Sequence, residues 1–212
     1  MSDGPGGAPL PMFPLGTVLF PSATLPVHVF EPRYRALTAH CLAGDGHLGV
    51  VLIERGSEVG GGDTRVAVGT RARIADAVAI EGGRWVLVLV GVDRIRVTGW
   101  VAEEPFPQAE VADLADVRPG PGAAAGRDAV ERVLRRALAL RAELGEPTAA
   151  PATVSLAADP ATAAWQAAAV APLGPADAQR VLEAAGPDER LGVLESLLED
   201  EVSVLAHLVA GR

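Results

Sequence analysis

Leu25-Pro26-Val27-His28-Val29-Phe30-Glu31-Pro32-Arg33-Tyr34 is the stretch on which the fold turns. Its first six residues are β-prone and bounded by prolines, so they read as a short strand. Pro32 then suits a first helical position, where its missing N–H leaves no bond unmade. Tyr34, Leu37 and Cys41 follow at helical spacing on one face. A strand therefore hands over to a helix near Glu31, with Tyr34 and Cys41 on the buried stripe. Cys41 reads there as a small core hydrophobe rather than a reactive thiol.

Working outward, Thr17-Val18-Leu19-Phe20 is another short β-prone run, and residues 48–53 a third, closed by Arg55-Gly56. Residues 66–80 form a longer one in which Arg71 and Arg73 alternate with Ala72 and Ile74, as a half-solvated strand requires. Gly82-Gly83 supplies a two-residue hairpin turn, since glycine reaches the positive φ such turns need. Residues 85–90 are apolar on both faces and read as a central strand, and Arg94-Ile95-Arg96-Val97 returns to alternation. The pattern predicts a five- or six-stranded antiparallel sheet curled into a barrel, with one inserted helix.

At Arg118-Pro119-Gly120-Pro121-Gly122 the strand-like composition gives way to Ala, Leu, Glu and Arg. A helix is expected over about 123–144. Asp159-Pro160, Gly174-Pro175 and Gly186-Pro187 each place an acceptable cap before a proline at the first helical position. The last helix carries Leu191, Leu194, Leu198, Val202, Leu205 and Val209 at three- and four-residue steps. The fold class is α+β: a disordered tail over 1–9, a β-rich lobe over 10–118, a Pro/Gly linker over 119–126 and a helical bundle over 127–209.

Composition excludes several chemistries. All 18 basic residues are arginine. Without lysine there is no Walker A loop and no Ser-Lys dyad. One cysteine precludes an intrachain disulfide and a cysteine-rich zinc site. A net charge of −9 opposes the phosphate neutralisation on which nucleic-acid affinity depends. No apolar run approaches the roughly 20 residues of a membrane span, and the Gly/Pro-rich start lacks the features of a signal peptide, so a cytoplasmic location is expected.

Pro11-Met12-Phe13-Pro14-Leu15-Gly16, Val18-Leu19-Phe20-Pro21 and above all Phe30-Glu31-Pro32-Arg33-Tyr34 resemble the opening of the LON protease N-terminal domain family. Gly69-Thr70, Gly91-Val92-Asp93-Arg94-Ile95, Gln179-Arg180-Val181-Leu182-Glu183 and Glu189-Arg190-Leu191 resemble its later elements. The resemblance implies a PUA-like barrel lobe followed by helices, used to engage unfolded or degron-bearing polypeptides. ATPase and peptidase parts are expected to be absent, so the expectation is a non-enzymatic recognition module. It would act as an adaptor for a separate protease or as a holding factor, without cofactor or metal, with room for a weak homodimer.

The residues offer a basis for binding. Met12, Phe13, Leu19 and Phe20 cluster near prolines, which confine strands to edges or bulges, and an edge strand accepts an extended peptide by strand addition. Closing the barrel is the competing role for each of them. Phe30, Glu31 and Arg33 complete the candidate set, although Glu31 and Arg33 equally suit anchoring of the helix start. His28, His40 and His47 lie near Cys41, but no second close pair completes a metal site. Ser22, Ser57 and several carboxylates lack any nucleophile-elbow context, and Gly60-Gly61-Gly62 reads as a hairpin tip rather than a phosphate loop. The alternative function is RNA binding through a patch of Arg71, Arg73, Arg94 and Arg96.

The purified chain is expected neither to release phosphate from ATP nor to cleave casein, because arginine cannot serve as a general base at neutral pH. Turnover that follows the protein through successive columns contradicts this reading.

Overall fold

The computed structural model describes residues 8–56, 64–101 and 104–211. The 1–7 part of the expected tail, Ser57 and the glycine run 60–62 lie outside them. The chain divides into two compact units, residues 1–115 and 116–212.

The first unit contains β1 (Leu10–Leu15), β2 (Thr24–Val29), α1 (Pro32–Ala43), β3 (His47–Arg55), β4 (Thr64–Ile80), β5 (Arg84–Trp100) and β6 (Gln108–Asp113). The sheet runs β2-β5-β4-β3-β1-β6, and a further β5–β6 pairing bends it into a barrel. The two 17-residue strands make this possible, because the first half of β5 pairs with β2 and its second half with β6. Register shifts along β4 and β5 supply the curvature.

Three details depart from the sequence reading. Thr17 to Phe20, expected as a strand, is irregular and connects β1 to β2, because its chain bonds to Thr70 and passes over Gly91 instead of pairing along a ladder. The sheet is mixed: β1 runs parallel to β3, Met12 beside Gly49 and Leu15 beside Leu52. Alternation reports which face a residue takes but carries no strand direction. The β4–β5 hairpin closes through a three-residue 3-10 turn, Glu81–Gly83, with Gly82 and Gly83 at φ of 77° and 69°. The expected two-residue turn gains one residue because Ile80 pairs with Arg84.

One core cluster packs Phe13, Leu15, Leu19, Val29, Leu48, Val50, Leu87 and Leu89 with Tyr34 and Leu37 of α1, and Met12, Val51, Ile95 and Ala109, one each from β1, β3, β5 and β6, form a second. Pro32 occupies the first turn of α1, whose buried face is Tyr34, Leu37, Thr38 and Cys41.

The second unit holds α2 (Ala123–Glu143), α3 (Pro160–Val170), α4 (Pro175–Glu183) and α5 (Pro187–Ala210). Asp159, Gly174 and Gly186 are the N-caps of the last three helices, each followed by proline. Asp159 caps in earnest, accepting a bond from the Thr162 amide at 2.8 Å. Leu134 and Leu138 of α2 pack with Leu191, Leu194 and Leu198 of α5 as fully buried side chains.

Arg190 lies at the centre of this unit with no exposed surface. Its Nη1 and Nη2 each donate to Asp116 at 3.0 Å, Nη2 also reaches the Ala184 carbonyl at 3.3 Å, and the guanidinium carbon stands 3.4 Å from the Trp165 ring centre. A forked pair plus stacking on indole compensates a charge that burial alone would make very costly.

Removing the carboxylate leaves that charge uncompensated. Asp116→Ala is expected to cost about 3 kcal/mol, the low end for breaking a buried pair because the aspartate is part-exposed, while Asp116→Leu with Arg190→Met recovers most of the loss. Denaturant melts of the single and double variants check this.

Candidate functional site

The connection from β1 to β2, residues 16–23, decides the geometry of the candidate site. The Thr70 hydroxyl donates to the Leu19 carbonyl at 2.5 Å, the Ser22 amide to the Gly91 carbonyl at 2.8 Å, and the Gly91 amide to the Ala23 carbonyl at 3.0 Å. The chain passes so close to β5 that a Cβ on Gly91 would run into the Phe20 carbonyl oxygen. Leu19 and Phe20 are thereby pressed inward, with 3% and 5% of their surface exposed. Carried across the sheet, β2 joins β5 instead of folding back on β1.

A groove of about 310 Å³ opens beside β2 as a result. Phe13 and Leu15 come from β1, Thr17 from the connection, Leu25 to His28 from β2, and Phe30, Glu31 and Tyr34 from the start of α1. Phe13 and Tyr34 pack at the base with ring centres 4.4 Å apart. The Arg33 guanidinium lies 4.4 Å from the centre of the Tyr34 ring while its Nε donates to Glu31 Oε2 at 3.1 Å. Glu31, the only carboxylate among the described residues of the lining, is thus paired in place. An apolar floor with a few polar groups at the rim suits capture of apolar side chains.

The sequence candidates separate into two groups. Met12, Leu19 and Phe20 are buried and line nothing in this groove, Met12 belonging to the core cluster of Val51, Ile95 and Ala109. Phe13, Phe30 and Glu31 meet there, with Arg33 behind Glu31; Phe30 is 54% exposed. Sequence reasoning missed Leu15, Thr17, Leu25 and Val27 as site residues. The period-two pattern of Leu25, Val27 and Val29 was the available signal, but it was spent on recognising the strand.

The four arginines of the RNA reading do not form an exposed cluster. Arg71 bridges Asp93 at 2.9 Å and Asp113 at 2.6 Å, and Arg94 is 3% exposed, which leaves Arg73 and Arg96 on the surface. Near Cys41, the thiol donates to the His47 carbonyl at 3.3 Å, and burial, aided by Asp45, pushes its pKa up to about 12. It is protonated throughout the neutral range, the unreactive state for a nucleophile or metal ligand. Among the described residues no three His, Cys, Asp or Glu side chains gather around a common point.

Comparison with known proteins agrees with this architecture. The family profile of the ATP-dependent protease La (LON) substrate-binding domain matches residues 9–200. The fold resembles the crystal structure of a Lon N-terminal domain protein from Xanthomonas campestris, with a TM-score of 0.64 and 28% identity over 89% of this chain and 98% of that one. It also resembles the N-terminal domain of the Mycobacterium avium complex Lon protease, with a TM-score of 0.69, 20% identity and coverage of 91% and 98%. The Lon protease of Cytophaga hutchinsonii is 33% identical over 112 residues, which are 52% of this chain and 14% of that protein. That of Flavobacterium johnsoniae is 31% identical over the same length and the same shares. The match thus spans about a seventh of the relatives' length. No described helix is long and apolar enough to cross a membrane.

Tyr34, 4% exposed and stacked on Phe13, supports both core and groove. Tyr34→Ala is expected to lower stability by about 3–5 kcal/mol, the range for deleting a buried aromatic. Thermal and denaturant melts measure it; an unchanged midpoint would remove Tyr34 from the core.

Proposed function

This chain belongs to the LON substrate-binding domain family, and from that premise we propose that it is a recognition module that holds apolar stretches of polypeptide, with no ATP hydrolysis or peptide cleavage of its own. The observation that carries this reading is the groove: about 310 Å³, apolar at its base, neutral at its rim, and lined by an exposed Phe30. An aromatic half in water beside an apolar cleft gains by covering its surface with a partner's side chain. The clients would be unfolded or degron-bearing proteins in the cytoplasm, delivered to a separate protease or held until they refold. Its Lon relatives are proteases, but the likeness reaches only their substrate-binding part.

Charge favours polypeptide over RNA. With a net charge of −9 and Arg71 and Arg94 engaged or buried, little counterion release is available to drive phosphate binding.

The test is a titration with a reduced, unfolded model protein and with a mixed-sequence RNA, each at about 50 and 200 mM salt, a range over which phosphate-driven affinity collapses. Client binding should persist across both salts and weaken about tenfold, or ~1.4 kcal/mol, in Phe30→Ala and in Thr17→Arg, whose side chain blocks the groove from an exposed position. Neither change touches the core, so melting temperatures should hold. Tight RNA binding lost at the higher salt, with indifference to the client, would sink the proposal.

A further inference from the structure

We infer that polypeptide enters this groove as a β-strand added to the open edge of β2, an inference that rests on the reading of the groove as a polypeptide site. Among the described residues, β2 has a neighbour in the sheet on one side only, β5. The direction of its main-chain groups follows from two observations. Ala23, just before the strand, turns its carbonyl to the Gly91 amide of β5, so residues of the same parity, Leu25, Val27 and Val29, also direct their N–H and C=O groups toward β5. Pro26, opposite Val88, has no N–H to give and fits only a pair that exchanges no bonds. Both place the N–H and C=O groups of Thr24 and His28, and the carbonyl of Pro26, on the open side.

The side chains fit the same assignment. Leu25 and Val27 are half-buried and line the groove, while Thr24, Pro26 and His28 are exposed. A strand laid along this edge continues the pleat, so every second side chain faces the same way as Leu25 and Val27, toward Phe13, Leu15 and Tyr34. Main-chain bonds give affinity to any sequence and the apolar floor selects alternate residues, the usual division of labour in strand addition.

Charge narrows the occupant further. The groove is neutral because Arg33 holds Glu31, whereas the chain as a whole carries a net −9. The complement is an extended segment with apolar residues at alternate positions and basic rather than acidic flanks. A second copy of this chain fits poorly: it brings the same negative charge, and an antiparallel β2–β2 pairing would set two prolines, each short of a donor, into one ladder.

The experiment uses the full chain and a nine-residue peptide with valine at alternate positions, threonine between them and arginine at both ends, followed by fluorescence anisotropy. The peptide is N-methylated at one position at a time. Methylation should weaken binding about tenfold or more at every second residue and leave the intervening ones within about twofold, since only one edge of the added strand meets β2. Pro26→Ala should tighten binding about fivefold by restoring one ladder donor. Glutamate in place of the terminal arginines should weaken it at about 50 mM salt and less so at 200 mM. Loss at every methylated position alike, or none, overturns the strand while leaving capture of the unfolded client intact. Failure of the peptide to bind also overturns it, and if the client fails too, the proposed function falls with it. A dimer in sedimentation that the peptide disperses would assign the edge to a second copy instead.

Discussion

The hydroxyl of Thr70, donating to the Leu19 carbonyl, and the bare Cα of Gly91, over which Phe20 passes, fix the path of the β1–β2 connection, and the functional geometry depends on that path. Consecutive strands usually pair with one another. Here β1 goes to β3 and β6 while β2 goes to β5, and the seam left between them becomes the groove. Both edges of β1 are taken by β3 and β6, so β2 finds no place beside it, and the connection instead lets Leu25 and Val27 line a groove with Phe13 and Leu15. One small residue and one buried hydroxyl thus hold the connection that places β2 there.

The second unit rests on a different device. Its last three helices start at prolines, and all four bury largely alanine and leucine faces that any helical pairing could satisfy, so apolar packing alone specifies their arrangement weakly. Arg190 adds direction. A guanidinium sealed against Trp165 and forked onto Asp116 is satisfied by one arrangement of α3, α5 and the segment before α2, and any slip leaves a charge in the core. The same segment is held again where the Val117 amide donates to Ala185 and the Gly120 amide to Asp188. Its contribution is to single out one packing more than to add stability, the role for which buried ion pairs are best attested.

What the sequence discloses and what it hides follow from the range of each interaction. Helix starts were legible at Asp159-Pro160, Gly174-Pro175, Gly186-Pro187 and Glu31-Pro32, because capping is settled within a turn. The burial of Tyr34 and Cys41 was legible from helical spacing. The parallel β1–β3 pairing was not, since partner choice depends on residues 37 positions apart, Met12 and Gly49, and alternation is blind to direction. Proline misled in one respect. It drew attention to Met12, Leu19 and Phe20 as edge residues, yet Met12 lies in β1 between β3 and β6, and Leu19 and Phe20 are buried by the connection that follows it. The proline that does mark an open edge is Pro26, read at first only as the boundary of a strand.

An open edge is a hazard, and the way this one is guarded bears on its use. Unprotected edges recruit one another into aggregates, and proteins blunt them with proline, charge or a covering element. β2 carries proline at its centre and histidine near its end, and the chain as a whole is acidic enough to repel its own copies. None of these guards fills the groove. A covering helix or a tight hairpin would have protected the edge more completely, at the loss of the cleft beside it. On the proposed reading of the edge, the protection discriminates by partner: it disfavours a second acidic chain with a second proline, and leaves an apolar segment with basic flanks free to add. That selectivity is what a module must have if it is to hold unfolded chains without joining them.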